Sequence, residues 1–267
     1  MKKIGFVGAG NMAAAIMTGI LRSELKNEVK ILVYDVDKEK LSEAEKLGAC
    51  PVCSNAALAG ESDIIFLLVK PQVMESVLAE LKSGNIRGKT VVSFAAGITE
   101  ENVRCVLGEE LFVMLAMPNT PMLIGKGACA VAKTQAPGEV FEMVVRLLKT
   151  CGEVAVIGAD KMCEIIPVNA SAPAYIYRFI KSFCEFAAEK GIDENTAKML
   201  FCQTLAGSAQ MVMQSEETID DLIAKVTSKG GTTFAGLAAL DEGRFDEVVR
   251  NCCEATVKRA YELSEGK

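Results

Sequence analysis

The chain has 267 residues, half of them apolar, and its 29 basic and 35 acidic side chains give a formal net charge of −6. This length supports one large or two ordinary domains, and an acidic chain without a basic cluster is not expected to have a nucleic-acid partner. The absence of histidine excludes Ser-His-Asp hydrolysis, histidine-ligated metals and the commonest general acid–base group.

Ten cysteines are spread along the chain without the spacing of a disulfide framework. The first strand begins at the N-terminus and leaves no room for a signal peptide, so we expect reduced thiols and a cytoplasmic location. The uncharged stretch at 199–215 carries Gln, Thr and Ser, so we expect no membrane partner. The CPVC sequence at 50–53 is typical of zinc or redox sites, but it lacks a second such pair; we interpret it as part of a short third strand and predict no metal.

Strand and helix patterns alternate through residues 1–159. Apolar runs predict strands at 3–7, 29–34, 63–69, 90–94, 111–116, 127–132 and 153–157. Helical periodicity predicts helices near 11–23, 37–47, 72–82, 99–107 and 137–150. The alternation predicts an α/β fold with an N-terminal Rossmann-type doubly wound sheet, whose ligands bind beyond the carboxyl ends of the strands.

From about residue 160 the strand signal stops and the pattern is helical. Apolar residues recur at helical spacing from Ile176 to Ala187, and the 194–214 segment is apolar on two sides. We infer burial of this wide apolar surface against a second subunit, with a single compact bundle as the alternative. The predicted domains are a dinucleotide-binding domain at 1–159 and an all-α dimerisation and substrate-binding domain at 160–267.

The most informative motif is IGFVGAGNMA at 4–13, a buried strand followed by a glycine turn and the start of a helix. Gly8 permits the tight turn, Gly10 lets the backbone approach a phosphate, and Ala13 lets the helix pack closely on the strand. The helix N-terminus then faces the pyrophosphate. The predicted pyrophosphate-binding residues are Gly8, Ala9, Gly10, Asn11, Met12 and Ala13.

Asp35 follows the second predicted strand, at the position where a carboxylate accepts hydrogen bonds from an adenosine ribose diol. It repels a 2′-phosphate; Asp37 adds a second negative charge, and Lys38 adds a positive one. The pattern predicts that NADH is favoured over NADPH. A solvated turn carboxylate is the alternative.

Further cofactor candidates follow other strands. Lys70 in the VKPQ sequence is placed to reach the nicotinamide ribose or the phosphates, and a plain surface lysine is the alternative. The small residues at 95–97 let the backbone approach the nicotinamide ring. The predicted set is Asn55, Val69, Lys70, Pro71, Gln72, Ala95, Ala96 and Gly97.

Two segments of the helical half predict a substrate site. Pro173 inside an apolar helical stretch predicts a kink that frees polar groups near Ser171, with an inert kink as the alternative. The glycine pair at 230–231 predicts a backbone nest at a helix N-terminus that fits a small carboxylate; a plain turn is the alternative. The predicted substrate-binding residues are Ser171, Ser228, Lys229, Gly230, Gly231, Thr232 and Thr233.

Taken together, the motifs resemble the pyrroline-5-carboxylate reductase family over nearly the whole chain. The matching pieces are IGFVGAGNMA at the start, VKPQ at 69–72, AAG at 95–97, MPNTP at 117–121, SAPAY at 171–175 and VTSKGGTT at 226–233. The resemblance implies hydride transfer from NAD(P)H to the imine carbon of 1-pyrroline-5-carboxylate, giving L-proline. It also implies an interlocked homodimer, often assembled into rings such as a decamer, with Thr233 as the catalytic residue and the GGTT amides holding the substrate carboxylate.

Three positions depart from the family pattern. Lys229 replaces a proline, Ala159 beside Asp160 replaces a glutamate, and Asp35 is an acid that members using NADPH usually lack. The alternative enzyme is a β-hydroxyacid dehydrogenase, but the 152–161 stretch lacks the glycine cluster expected of that family. The alternative from another class is a non-catalytic dinucleotide-binding accessory protein.

Overall fold

An eight-stranded sheet forms the first half of the chain in the computed structural model, which describes residues 1–265. The strands are β1 (Lys2–Val7), β2 (Val29–Tyr34), β3 (Cys50–Pro51), β4 (Ile64–Leu67), β5 (Thr90–Ser93), β6 (Phe112–Pro118), β7 (Gly127–Ala132) and β8 (Gly152–Ile157). Their order is β3-β2-β1-β4-β5-β6-β7-β8. The first six strands are parallel, β7 is antiparallel to β6, and β8 is parallel to β7.

Helices cross between the strands of this sheet. They are α1 (Asn11–Arg22), α2 (Lys38–Leu47), α3 (Asn55–Glu61), α4 (Met74–Lys82), α5 (Glu100–Leu107) and α6 (Gly138–Lys149). Three of them begin where the sequence supplies a capping side chain, since Asp37, Ser54 and Thr99 accept backbone N–H bonds at the starts of α2, α3 and α5. The strand order reverses between β1 and β4, which creates the crevice where doubly wound sheets bind their ligands.

The core lies on both faces of the sheet. Along β4, Ile64 and Phe66 pack into one apolar cluster, and Ile65 and Leu67 pack into the other. Side chains of a strand point alternately to opposite faces, so a strand covered on both sides must be apolar throughout. This explains why uninterrupted apolar runs predicted the strands correctly.

The structure corrects or adds several details. β6 continues to Pro118, two residues into the segment predicted as a loop, because Ala116–Pro118 pair with the antiparallel strand β7. The helix predicted at 72–82 begins at Met74, after a separate 3-10 turn at Pro71–Val73. The short strand interpreted at the CPVC sequence is present as Cys50–Pro51. Helix α3 was not predicted, because its seven residues are too few to display a clear period.

By backbone contacts the chain divides into two compact units: Met1–Pro173 with the chain from Thr256 onward, and Ala174–Ala255. The domain boundary predicted at residue 159 stays a prediction. The remaining helices are α7 (Ala172–Glu189), α8 (Glu194–Gln214), α9 (Ile219–Lys225), α10 (Thr232–Glu242) and α11 (Phe245–Ser264).

Within the second unit, Cys184 is the one buried residue of 174–255. Large apolar side chains are exposed on its helices, among them Phe186 at 60% and Met213 at 75%. An isolated domain does not normally leave so much apolar surface in water, so the unit is built to pack against another protein surface.

The predicted kink at Pro173 is wrong. Helix α7 begins at Ala172, so Pro173 lies in its first turn, where the missing backbone N–H would have no intrahelical acceptor. The preceding residues 162–170 form a series of turns. The apolar sequence on both sides of the proline resembled one continuous helix because these turns are also rich in apolar residues, several of them buried.

Among residues 1–265, no helix combines the length and the apolar character that crossing a lipid bilayer requires.

Candidate dinucleotide and substrate sites

The turn between β1 and α1 has the geometry of an anion site. Gly8 has φ +98°, and a Cβ there would lie 2.9 Å from the carbonyl oxygen of Leu68, so glycine is required on both counts. Gly10 has no atom within 4 Å of the position its Cβ would take. It is also the N-cap of α1 and provides no side-chain cap. The first N–H groups of α1 therefore face open space beside Gly10, as a bound pyrophosphate requires.

Asp35 holds the glycine turn in place. Its Oδ2 accepts a hydrogen bond from the backbone N–H of Ala9 at 2.7 Å, and its Oδ1 accepts one from the N–H of Asp37 at 2.8 Å. The sequence predicted a carboxylate for a ribose diol but not this contact with the turn. Each carboxylate oxygen accepts more than one hydrogen bond, so the diol role and the bracing role are compatible.

Asp37 has a structural role that the sequence analysis missed. Its Oδ1 caps α2 by accepting from the backbone N–H groups of Glu39 and Lys40, and its carboxylate pairs with the Lys40 ammonium at 3.5 Å. The backbone hydrogen bonds from Glu39 and Lys40 hold the pKa of Asp37 below its ordinary value. Of the two neighbouring carboxylates, only Asp35 contacts the glycine turn.

Asn55 is the first residue of α3, the helix that follows the edge strand β3, and is 4% exposed. Its Nδ2 donates to Glu80 Oε2 at 2.8 Å, while its buried Oδ1 has no hydrogen-bond partner. A buried acceptor without a partner is costly and calls for a ligand or water. The open space at Gly10 fits the close approach of a phosphate, and the cofactor role of Asn55 stays a prediction.

The other cofactor candidates follow β4 and β5. Lys70 is exposed and precedes the 3-10 turn that starts at Pro71, and Val69 is half-buried. The turn at 95–97 follows β5; Gly97 has φ +78°, in the left-handed region that favours glycine. All the predicted cofactor residues thus lie beyond the carboxyl ends of β1 to β5, and the sheet brings them to one edge.

A cavity of about 290 Å³ opens at this edge, beside the 95–97 turn. Ala95, Gly97 and Met117 line it, together with Met162 and Cys163 from the turns before α7. Behind Met117, the buried Asn169 donates from Nδ2 to the Met117 carbonyl at 2.6 Å, and its buried Oδ1 has no partner. Sequence analysis missed the role of Asn169; the only signal was a polar residue in an apolar stretch.

The second candidate anion site is the segment 228–233, here called the substrate turn, in the second unit. Gly230 has φ +74°, and the Gly231 N–H donates to the Ser228 carbonyl at 2.9 Å, which closes the turn. Gly231 is the N-cap of α10 and offers no side-chain cap, so the first N–H groups of α10 are available to an anion. Thr232 and Thr233 are exposed at this helix start.

The remaining substrate candidate, Ser171, belongs to the first unit. It is half-buried, and its backbone N–H donates to the Ile166 carbonyl at 2.9 Å. The predicted substrate residues therefore come from both units, and their binding roles stay predictions.

The sheet topology with its glycine turn is that of a dinucleotide-binding protein. Residues 159–263 match the family model described as pyrroline-5-carboxylate reductase dimerisation, and residues 3–97 match the model described as NADP oxidoreductase, coenzyme F420-dependent. The chain belongs to the pyrroline-5-carboxylate reductase family, as its motifs predicted.

Individual relatives match this chain along nearly its whole length. Pyrroline-5-carboxylate reductase 2 of Bacillus subtilis is 35% identical over 268 residues, which cover 99% of this chain and 96% of the relative. The reductase of Escherichia coli is 32% identical over 267 residues, which cover 99% of each chain. The solved structure of the Coxiella burnetii reductase has a TM-score of 0.88 at 30% identity, and that of Plasmodium falciparum, with NADP bound, has a TM-score of 0.86 at 28% identity; both cover 98% of each chain.

Proposed function

We propose a residue-level account of how this chain carries out the reaction of its family. The chain is a pyrroline-5-carboxylate reductase that uses NAD(P)H to reduce the C=N bond of 1-pyrroline-5-carboxylate and gives L-proline, the last step of proline synthesis. The observation that carries the substrate assignment is the uncapped start of α10 at Gly231, which suits a small carboxylate.

In this account the substrate turn fixes the ring by two contacts. The backbone N–H groups of Thr232 and Thr233, at the start of α10, donate to the carboxylate. The Thr233 hydroxyl forms a hydrogen bond with the ring nitrogen and orients the imine. Lys229 adds a positive charge beside the carboxylate.

The reaction requires little proton management by the protein, which suits a chain without histidine. A cyclic imine is readily protonated, and its iminium carbon accepts a hydride directly. The bound nicotinamide supplies that hydride. The main contribution of the residues is to hold two reactants in a reactive geometry, an effect that reaches about 7–11 kcal/mol in well-oriented cases.

For the cofactor, we propose that NADH is favoured over NADPH. Asp35 is a carboxylate next to the turn that receives the pyrophosphate, and it would lie against the ribose hydroxyls. A 2′-phosphate at that position would meet a like charge. The buried Asn55 Oδ1 would accept a hydrogen bond at the adenosine end, and Lys70 would neutralise the phosphates.

The second unit is where the chain dimerises, as its family model and its exposed apolar helices agree. We propose that the dimers assemble further into a decameric ring and that the enzyme works in the cytoplasm. Light scattering on the purified chain distinguishes these states by mass. A mass equal to one chain at micromolar concentration would contradict the dimer.

The activity is tested by steady-state kinetics on the purified full-length chain. We expect oxidation of NADH with pyrroline-5-carboxylate and formation of L-proline, and no reduction of NAD with 3-hydroxy acids. The reverse pattern would favour a β-hydroxyacid dehydrogenase. Binding of NADH without turnover of any cyclic imine would favour an accessory protein.

A further inference from the structure

The end of α11 returns to the first unit and lies on the 95–97 turn. A Cβ on Gly97 would lie 2.9 Å from Leu263 Cβ and 3.4 Å from the backbone nitrogen of Ser264. The last helical turn is therefore in direct contact with the turn that is predicted to meet the nicotinamide. Glycine at position 97 is needed for this contact as well as for its positive φ.

The same helical turn forms part of the walls of two cavities. Ser264 lines the cavity of about 290 Å³ together with Ala95, Gly97 and Met117. Leu263 and Ser264 also line a second cavity, of about 490 Å³, that shares Gly97 with the first. A shift of this helix end would change the shape of both cavities and remove the packing that supports the 95–97 turn.

Two contacts hold the helix end in place. Ala260 is 4% exposed and packs in the apolar cluster of Met117 and Met162. One residue further on, the Tyr261 hydroxyl donates to Glu164 Oε1 at 2.6 Å, which joins positions 97 residues apart. Glu164 follows Cys163, which lines the smaller cavity, and Ser264 near Tyr261 lines the same cavity. The Tyr261–Glu164 bond therefore connects two segments that both form walls of that cavity.

The Tyr261–Glu164 bond is charge-assisted. The tyrosine hydroxyl holds the pKa of the Glu164 carboxyl below its ordinary value, and the carboxylate raises the pKa of Tyr261 to about 12. Glu164 is therefore ionised and Tyr261 protonated throughout the neutral range, the pairing in which such a bond is strongest.

We propose that Tyr261 and Glu164 are positioning residues for the dinucleotide: their bond fixes the end of α11 against the 95–97 turn and so sets how tightly the nicotinamide end is held. Neither residue is required to touch the reacting atoms. The inference rests on the proposed assignment of residues 95–97 to the cofactor.

The test compares full-length Tyr261→Phe and Glu164→Ala with the unmodified chain and the double variant. We expect the Kd for NADH, measured by its fluorescence, to rise about threefold to tenfold in each single variant, the factor expected for one partly exposed hydrogen bond. The double variant should be no weaker than either single one, since both remove the same bond. Glu164→Gln keeps an acceptor oxygen and should restore most of the affinity.

The KM for pyrroline-5-carboxylate should stay within twofold in all these variants. Glu262→Gln, which alters the Arg259–Glu262 pair within α11, is the matched control and should leave the Kd for NADH unchanged. A lowered melting temperature with an unchanged Kd for NADH would overturn the proposal, because the bond would then serve stability alone. Additive effects in the double variant would also overturn it. Failure of the proposed function is distinguishable, since the unmodified chain would then not oxidise NADH with pyrroline-5-carboxylate.

Discussion

Replacing Asp35 by asparagine is the most informative test of the cofactor site. The carboxylate accepts from the N–H groups of Ala9 and Asp37 at 2.7 and 2.8 Å. Asparagine has nearly the same shape but one acceptor oxygen, so its amide nitrogen must face one of these two donors. The loss of one half-buried, charge-assisted bond should weaken the binding of either dinucleotide by about 1–2 kcal/mol.

The loss of charge acts differently on the two cofactors. The repulsion between a carboxylate and a 2′-phosphate is about 4 kcal/mol per unit of phosphate charge when the charges lie 4 Å apart and the effective dielectric constant is near 20. Screening by solvent lowers this repulsion further. We therefore expect Asp35→Asn to lower the NADH-to-NADPH ratio of kcat/KM by about tenfold to a hundredfold, corresponding to roughly 1.4–2.8 kcal/mol. The damage to the glycine turn affects both cofactors and cancels in that ratio.

The assay measures kcat/KM for each dinucleotide at saturating pyrroline-5-carboxylate. Asp37→Asn is the matched control: it removes a carboxylate two residues away, and asparagine is a good N-cap, so α2 should keep its start. Its cofactor ratio should change less than threefold. An unchanged ratio in Asp35→Asn, or an equal shift in both variants, would refute the specific role of Asp35.

Three further predictions concern the turns. Thr233→Ala should lower kcat/KM for pyrroline-5-carboxylate by about tenfold to a hundredfold, the range for one lost hydrogen bond to a charged group. Thr233→Ser keeps the hydroxyl and should recover most of the lost kcat/KM. Equal kinetics in the two variants would exclude a role of the hydroxyl in the reaction. Gly231→Asp should abolish substrate binding while NADH still binds, because a carboxylate at the start of α10 repels the carboxylate of the substrate. A normal KM would remove the site assignment. Gly8→Ala should lower the free energy of unfolding, measured by urea titration, by about 1–3 kcal/mol. Gly60→Ala in α3, where the added methyl group meets open space, should not destabilise the protein. Similar stability losses in both variants would contradict the argument from the positive φ of Gly8.

Local patterns carried most of the information about the first half of the chain. The residues of β4 were predicted as a strand because a strand buried on both faces needs an unbroken apolar run, and the structure divides those residues between two clusters. Gly8 was singled out because only glycine tolerates such a turn, and its φ of +98° agrees. The family motifs located the candidate turns, because each turn is formed by a few consecutive residues that a short motif can identify.

Contacts between residues that are distant in the chain could not be predicted from local sequence patterns. The direction of β7 depends on its pairing with β6, and no local pattern distinguishes a parallel from an antiparallel partner. The start of α7 at Ala172 depends on the buried turns before it, whose apolar composition resembles a helix. The buried Asn55 looks like any polar residue near a helix start until its neighbours are placed around it.

The sequence by itself determined the fold class, the two glycine turns and the family of this protein, because periodicity, glycine and short motifs act over a few neighbouring residues. Only the tertiary structure decided that Asp35 braces the glycine turn at Ala9 and that Tyr261 forms a hydrogen bond with Glu164. These hydrogen bonds join residues 26 and 97 positions apart, so they exist only once the folded chain has brought separate segments together.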